Sequence, residues 1–232
     1  MPGASERSPT GALLTCGAVA GPLFLFVVAV QDYTREGFDP RRHLLSMLSL
    51  GDGGWVQVVN FVLAGLLNLA FAAGLWRMPR PGRGGAWGAL LIGGYGAGLV
   101  GAGLFRTEPA FGYPAGAPEG LPEEYGLSYV VHGVSFFVVL LSLVAACAVF
   151  ARRFAVAGDR GWALYCAAVG VALPVIYLLA GVLSDRGQDA RPLSLLLRLL
   201  ALVGWSWAAL LAVRIRREVR GDGGRRRGQP AG

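Results

Sequence analysis

The chain of 232 residues holds two histidines, His43 and His132, and imidazole suits both acid–base work and metal ligation near neutral pH. His43 lies in "FDPRRHLLSMLSLGDGGW", Phe38 to Trp55, a polar stretch set between long apolar runs, with Asp39, Arg41, Arg42, Ser46, Ser49 and Asp52 around it. Two imidazoles with Asp39 or Glu108 would make the minimum donor set of a catalytic zinc site, with no surplus. The same residues would also serve as general bases in a hydrolase or transferase acting on lipid. Beyond that possible zinc, no cofactor is predicted. Walker A, GxSxG, HExxH and haem-attachment patterns are all missing from the sequence, so no enzyme class follows from motifs.

The elements that must position these residues are set by composition. Hydrophobic residues make up 54% of the chain and charged ones 15%, too apolar for an ordinary soluble domain. The apolar residues gather into six blocks: Gly11–Val30, Trp55–Trp76, Trp87–Phe105, Ser128–Phe150, Trp162–Leu183 and Leu193–Val213. Each has about the 20 residues that cross a hydrocarbon core, and in lipid each must be a helix. The fold class expected is all-α, a polytopic six-helix transmembrane bundle, with residues 1–10 and 214–232 as tails. The first block is too long for a signal-peptide core and no small-residue cleavage pattern follows it, so it reads as a retained span.

Arginine placement orients the bundle. All 21 basic residues are arginine. Arg7, then Arg77, Arg80 and Arg83, then Arg152, Arg153 and Arg160, and finally the run from Arg214 to Arg227 fall on one side. Asp32, Glu36, Asp39, Asp52, Glu108, Glu119, Glu123, Glu124, Asp185 and Asp189 outnumber the arginines on the other. The positive-inside bias makes the first side cytoplasmic, both termini included, in a multi-pass protein of the cell membrane. The net charge of +7 then belongs against anionic lipid headgroups, at about 1 kcal/mol per Arg. Nucleic acid is not an expected partner, since no aromatic residue interleaves the basic tail to stack on bases. The tail 214–232 reads as a disordered topology anchor.

"GYGAGLVG" holds a literal GxGxxG at Gly96, Gly98 and Gly101, but no strand precedes it and it lies inside a span. Gly94, Gly98 and Gly101, with Gly93 and Ala97, instead offer a smooth face for close helix packing, and the third helix is expected to sit centrally among its neighbours. Cys16, Cys147 and Cys166 read as small packing residues.

Polar side chains within spans are the strongest pointers to a site. At 1.5 Å of rise per residue, Asn60 lies about 7 to 8 Å below the outer end of its helix. His132, Tyr177 and Arg198 come out at about 6, 9 and 7 to 8 Å on the same scale. Four helices thus put a polar group at one level, and converging faces would line a shallow outward pocket, with Arg198 seeking a carboxylate from the outer loops. Over it, Arg41 to Leu50 is expected as an amphipathic interfacial helix with Asp39 as N-cap and Pro40 at its first position. Arg42, Ser46 and Ser49 share its polar stripe, with His43 beside them. Arg106, Glu108 and Tyr113 emerge from the third helix toward the same mouth.

The stretch "DPRRHLLSMLSLGDGGWVQVVNFVLAGLLNLAFAAGL", with "GLVGAGLFRTEPAFGYPAG" and a histidine opening the fourth helix, resembles the prokaryotic membrane proteins of domain-of-unknown-function family 998. The likeness runs from about Leu13 to Val213 and is most specific at His43 to Gly54, Gly101 to Pro114 and His132. It implies six helices in a membrane and no assigned activity. Such proteins often carry a further polar residue, frequently Asp, after the fourth-helix histidine, whereas "HGVSFF" offers Ser135 and then apolar residues.

Three functions remain open. The first is a protein binding a small molecule, lipid headgroup or partner protein in the outward pocket. The second is the lipid hydrolase or transferase above. The third is a small transporter, for which Pro174 and the deep Asn68 speak, although no internal repeat appears.

Overall fold

A computed structural model describes residues 9–78, 84–122, 124–185 and 190–227, with backbone alone at 84, 85, 185 and 221–227. Arg7, Arg80, Arg83, Glu123, Asp189 and residues 228–232 lie outside the described residues. The helices are α1 (Pro9–Thr34), α2 (Trp55–Trp76), α3 (Gly84–Leu104), α4 (Leu127–Val156), α5 (Arg160–Asp185) and α6 (Arg191–Arg227), with a short 3-10 helix at Leu45–Ser49. All six α-helices are long and apolar enough to cross a membrane, and no strand element occurs among the described residues.

Each helix packs on its neighbours in sequence, and α6 closes the ring on α1. One end of this ring carries the α1–α2 and α3–α4 connections and is here termed the capped end. The opposite end carries Arg77, Arg152, Arg153, Arg160 and Arg214 and is the arginine-rich end.

Helix bounds overrun the apolar blocks because a helix continues until something breaks it, not until its hydropathy falls. α4 runs on to a C-terminal turn in which Gly158 takes φ 79. α6 likewise runs on past Val213, to Arg227. Arg214 meets Glu218 one turn on at 3.1 Å and Asp159 at 3.0 Å, while Arg153 of α4 reaches Glu218 at 2.8 Å. These pairs support the first turns past Val213 and tie α6 to the α4–α5 connection.

The small residues of α3 form two faces, not the single one expected, and α3 is a member of the ring, not its centre. A Cβ on Gly65 of α2 would come 2.7 Å from the carbonyl of Gly96, and one on Gly96 would come 2.8 Å from the carbonyl of Gly65. Gly94, Gly98 and Gly101 face α4, against Ser142, Val139 and Ser135, while Ala97 is exposed. α3 is therefore a thin wedge gripped from both sides.

Candidate functional site

The stretch from Phe38 to Trp55 is not an interfacial helix. The Asp39 carbonyl accepts the N–H groups of Arg42 (3.0 Å) and His43 (2.8 Å), and its carboxylate accepts that of Arg41 at 2.9 Å, which makes a tight turn. Leu44 is extended (ψ 146), and only Leu45–Ser49 winds, as a 3-10 helix. The physical reason is the His43 ring. Its Nδ1 accepts the Asp39 N–H at 2.9 Å, so the turn is satisfied locally and has no call to propagate.

His43 is 4% exposed and Met47, Leu48 and Ser49 at most 1%. The segment is thus a plug sunk into the capped end. The α3–α4 loop locks it: His43 Nε2 donates to the Phe111 carbonyl at 3.1 Å, and Tyr113 hydroxyl donates to the Leu50 carbonyl at 3.4 Å. Phe38, His43 and Tyr113 form a ring cluster with centroids 5.1–5.2 Å apart. Phe111 holds φ 54, the left-handed region, and its N–H donates to Gly120 at 3.0 Å. With one nitrogen accepting and the other donating, His43 is a neutral strut with no lone pair left for a metal or a proton transfer. Burial lowers its pKa below the ordinary 6.5, outweighing the Phe111 carbonyl and Asp39, which push the other way.

α6 clamps the plug from below. Arg198 makes two bonds to Asp32 at the end of α1, at 2.7 and 3.1 Å, so the expected carboxylate partner is found. The same guanidinium reaches the His43 carbonyl at 3.4 Å and lies 5.8 Å from the Phe38 ring centroid. Ser194 hydroxyl lies 2.8 Å from the His43 carbonyl and 3.0 Å from that of Pro40.

A second polar chain passes between α1 and α2. Arg35 donates to the carbonyls of Leu48 (2.9 Å), Asp52 and Gly53 (2.7 Å) and to Gln31 Oε1 at 3.0 Å. Gln31 donates to Gln57 Oε1 at 2.7 Å, and Asn60 donates to that oxygen and to the Phe24 carbonyl, both at 3.2 Å. Gln31, Arg35 and Gln57 were missed by sequence reasoning. The spacing of Gln31 and Arg35 (one turn), with Gln57 and Asn60 three apart, marks two polar edges that face each other.

Inside the ring lies a cavity of about 460 Å³, within the roughly 300–1,000 Å³ range of small-molecule sites. It is elongated: its lining on α6 runs from Leu193 to Trp205 and on α4 from Tyr129 to Leu143, about 18 and 21 Å at the helical rise. Leu44, Leu45, Ser46 and Thr107 line its upper part, and Trp205, stacked on Phe24 at 4.8 Å, lines it deeper in.

Of the residues expected to form a polar pocket, Ser46, His132 and Tyr177 line this cavity. The others are spent elsewhere. Asn60 turns to α1, Arg198 to Asp32, and Arg42 forms an exposed pair with Glu119 at 2.5 Å. Asp39 caps its own turn and His43 is the strut. Arg106 is exposed and offers its carbonyl to Ser128, and Glu108 lies by Gly126 at the start of α4. The layer expected from depth is therefore dispersed, and the cavity is apolar.

His132 is held by its other edge. Its Nδ1 lies 2.8 Å from the Phe105 carbonyl and 3.1 Å from that of Ala102. Carbonyls only accept, so Nδ1 carries the proton and caps the C-terminus of α3. The described residues include no group of three His, Cys, Asp or Glu that could hold a metal. With His43 saturated as well, the donor set does not fit the zinc site considered from sequence.

Searches of curated proteins and of solved structures found no match. The family model described as "Protein of unknown function (DUF998)" matches residues 18–214. That match spans nearly all of the six-helix ring, its plug and its cavity, and the chain belongs to the DUF998 family.

Proposed function

We propose that this membrane protein binds an elongated apolar molecule, a single lipid chain or its like, in the cavity between α3, α4 and α6, without chemical turnover. The observation that carries the reading is the cavity itself: long, bordered above by Leu44, Leu45 and Ser46 of the plug, and walled by Phe24, Phe61, Tyr95, Phe136, Phe137 and Trp205 with few polar groups. A pocket for a charged headgroup, a metal-dependent hydrolase and a charged-solute transporter each need charged or metal-ligating side chains that other contacts occupy.

In this reading the protein sits in the cell membrane with its capped end outward and both termini cytoplasmic. The supporting feature is the arginine-rich end, which also suits anionic headgroups of the inner leaflet.

Gly133 provides the test. It lines the cavity, and a Cβ there would meet nothing within 4 Å, so Gly133→Phe fills the space without a clash at the backbone. Lipid extracts of purified wild-type protein should contain a stoichiometric apolar compound that the Gly133→Phe protein, folded to the same melting temperature, lacks. Equal lipid content in both proteins would count against the cavity as a binding site.

A further inference from the structure

A molecule already dissolved in the bilayer gains little by moving its chain into an apolar cavity, because lipid tails are as apolar as the cavity wall. Selection must then come from shape and from the few polar atoms on the wall. The lining side chains that carry such atoms are Ser46, Tyr95, Thr107, Tyr129, His132, Tyr177 and Trp205. The lining contains no arginine and no acid, so a carboxylate or phosphate inside would stand unpaired, which is costly in such surroundings.

The hydroxyl groups are indifferent, able to donate or accept. His132 is not. Its Nδ1 proton is committed to the carbonyls of Phe105 and Ala102, which leaves Nε2 of the neutral ring as a lone-pair acceptor with no hydrogen-bond partner among the described residues. Phe61, edge-on to the ring at 6.5 Å and 86°, backs it on another side. A ligand meeting this atom must bring a proton and no charge.

Building on the cavity reading above, we propose that the bound molecule is a long-chain alcohol. Its hydroxyl donates to His132 Nε2 and accepts from a neighbouring hydroxyl, Tyr129 or Thr107, while its chain runs down α4 and α6 toward Trp205. His132 is a specificity-determining residue, and its tautomer, fixed by the end of α3, sets the polarity of the headgroup that fits.

The test is photolabelling of the full chain in nanodiscs by cetyl alcohol carrying a diazirine in its tail, with three competitors of matched chain: cetyl alcohol, its methyl ether and cetyl phosphate. In the wild type the alcohol should compete about tenfold better than the ether, the factor given by about 1.4 kcal/mol, and the phosphate should compete worst. His132→Phe should still be labelled in α4 and α6 peptides, with alcohol and ether now equal. His132→Gln, which keeps an acceptor, should restore part of the preference. Equal competition by alcohol and ether in the wild type, or an undiminished preference in His132→Phe, would overturn the headgroup assignment while leaving the cavity reading intact. Labelling outside α4 and α6 and insensitive to Gly133→Phe would overturn both.

Discussion

His43 Nε2 sits 3.1 Å from the carbonyl oxygen of Phe111, a residue 68 positions further along the chain. Through its other nitrogen the same ring holds the Asp39 N–H. One imidazole thus joins the turn that starts the plug to the left-handed residue that shapes the α3–α4 loop.

Replacing His43 by Phe keeps an aromatic ring against Phe38 and Tyr113 but removes the partners of the Asp39 N–H, on an exposed residue, and of the carbonyl of the buried Phe111. An orphaned buried group costs about 1–3 kcal/mol, so His43→Phe should destabilise the purified protein by about that amount, through the Phe111 carbonyl. Denaturant unfolding in detergent measures this. A loss within experimental error of wild type would mean that the two groups find water instead.

The same residue gives the plug a pH dependence of definite sign. Burial holds the folded pKa of His43 below 6.5, so the unfolded chain binds the proton more readily than the folded one. The stability associated with the neutral ring is fully present above the unfolded pKa and falls as pH drops through about 6.5 toward the folded value. Melting temperatures taken from about pH 8 to about pH 5 should fall more steeply for wild type than for His43→Gln, which cannot titrate.

Arg198 and Asp32 form a two-bond pair with side chains 17% and 15% exposed. Removing one partner of such a pair strands the other charge, at about 3–5 kcal/mol for full burial and less here because each side chain retains some exposure. Asp32→Asn and Arg198→Met should each destabilise by about 2 kcal/mol or more, and the double variant by less than the sum of the two. A double-mutant cycle on unfolding free energies reads the coupling, and strict additivity would show that the pair contributes nothing.

Six helices could be read from the sequence because each holds a run of apolar residues, whereas most of their ends, which lie beyond those runs, could not. Direction about each axis could not be read either. In a membrane the lipid face and the cavity face are both apolar, so the amphipathic signal that sets the phase of a soluble helix is weak. Asn60 and His132 were expected on one wall, but Asn60 faces Phe24 on α1, whereas His132 faces the cavity. The plug misled for a different reason. Its conformation is set by the His43 ring's bond to the Asp39 N–H together with Phe111, Tyr113, Ser194 and Arg198, contacts from distant parts of the chain that no local pattern records.

The glycines of α3 separate backbone contact from side-chain contact. A Cβ on Gly96 would press on the Gly65 carbonyl, which cannot move unless the two helices part, whereas one on Gly94 would meet the Ser142 hydroxyl at 2.7 Å, a group that rotates away. Gly96→Ala should therefore lower the melting temperature well below that of Gly94→Ala, although both gain the same helix propensity. If the two variants melt together, the α2–α3 contact is looser than the geometry states.

Orientation in the membrane is the prediction on which the outward opening of the cavity depends. Ala115 is exposed in the α3–α4 loop at the capped end and Ala157 is exposed just past α4 at the arginine-rich end. With Cys16, Cys147 and Cys166 replaced by alanine, single cysteines at these two positions report one side each. If the excess of arginine at the Ala157 end orients the protein by the positive-inside bias, a membrane-impermeant maleimide added to whole cells should modify Ala115→Cys and spare Ala157→Cys until the membrane is permeabilised. Both sites avoid the plug, where Ser49 is 1% exposed and would resist the reagent whichever way the protein faced. Labelling of Ala157→Cys alone in intact cells would invert the topology and turn the plug and the cavity roof toward the cytoplasm. It would leave the tautomer of His132 and the headgroup chemistry it selects untouched, because these follow from the Phe105 and Ala102 carbonyls at the end of α3.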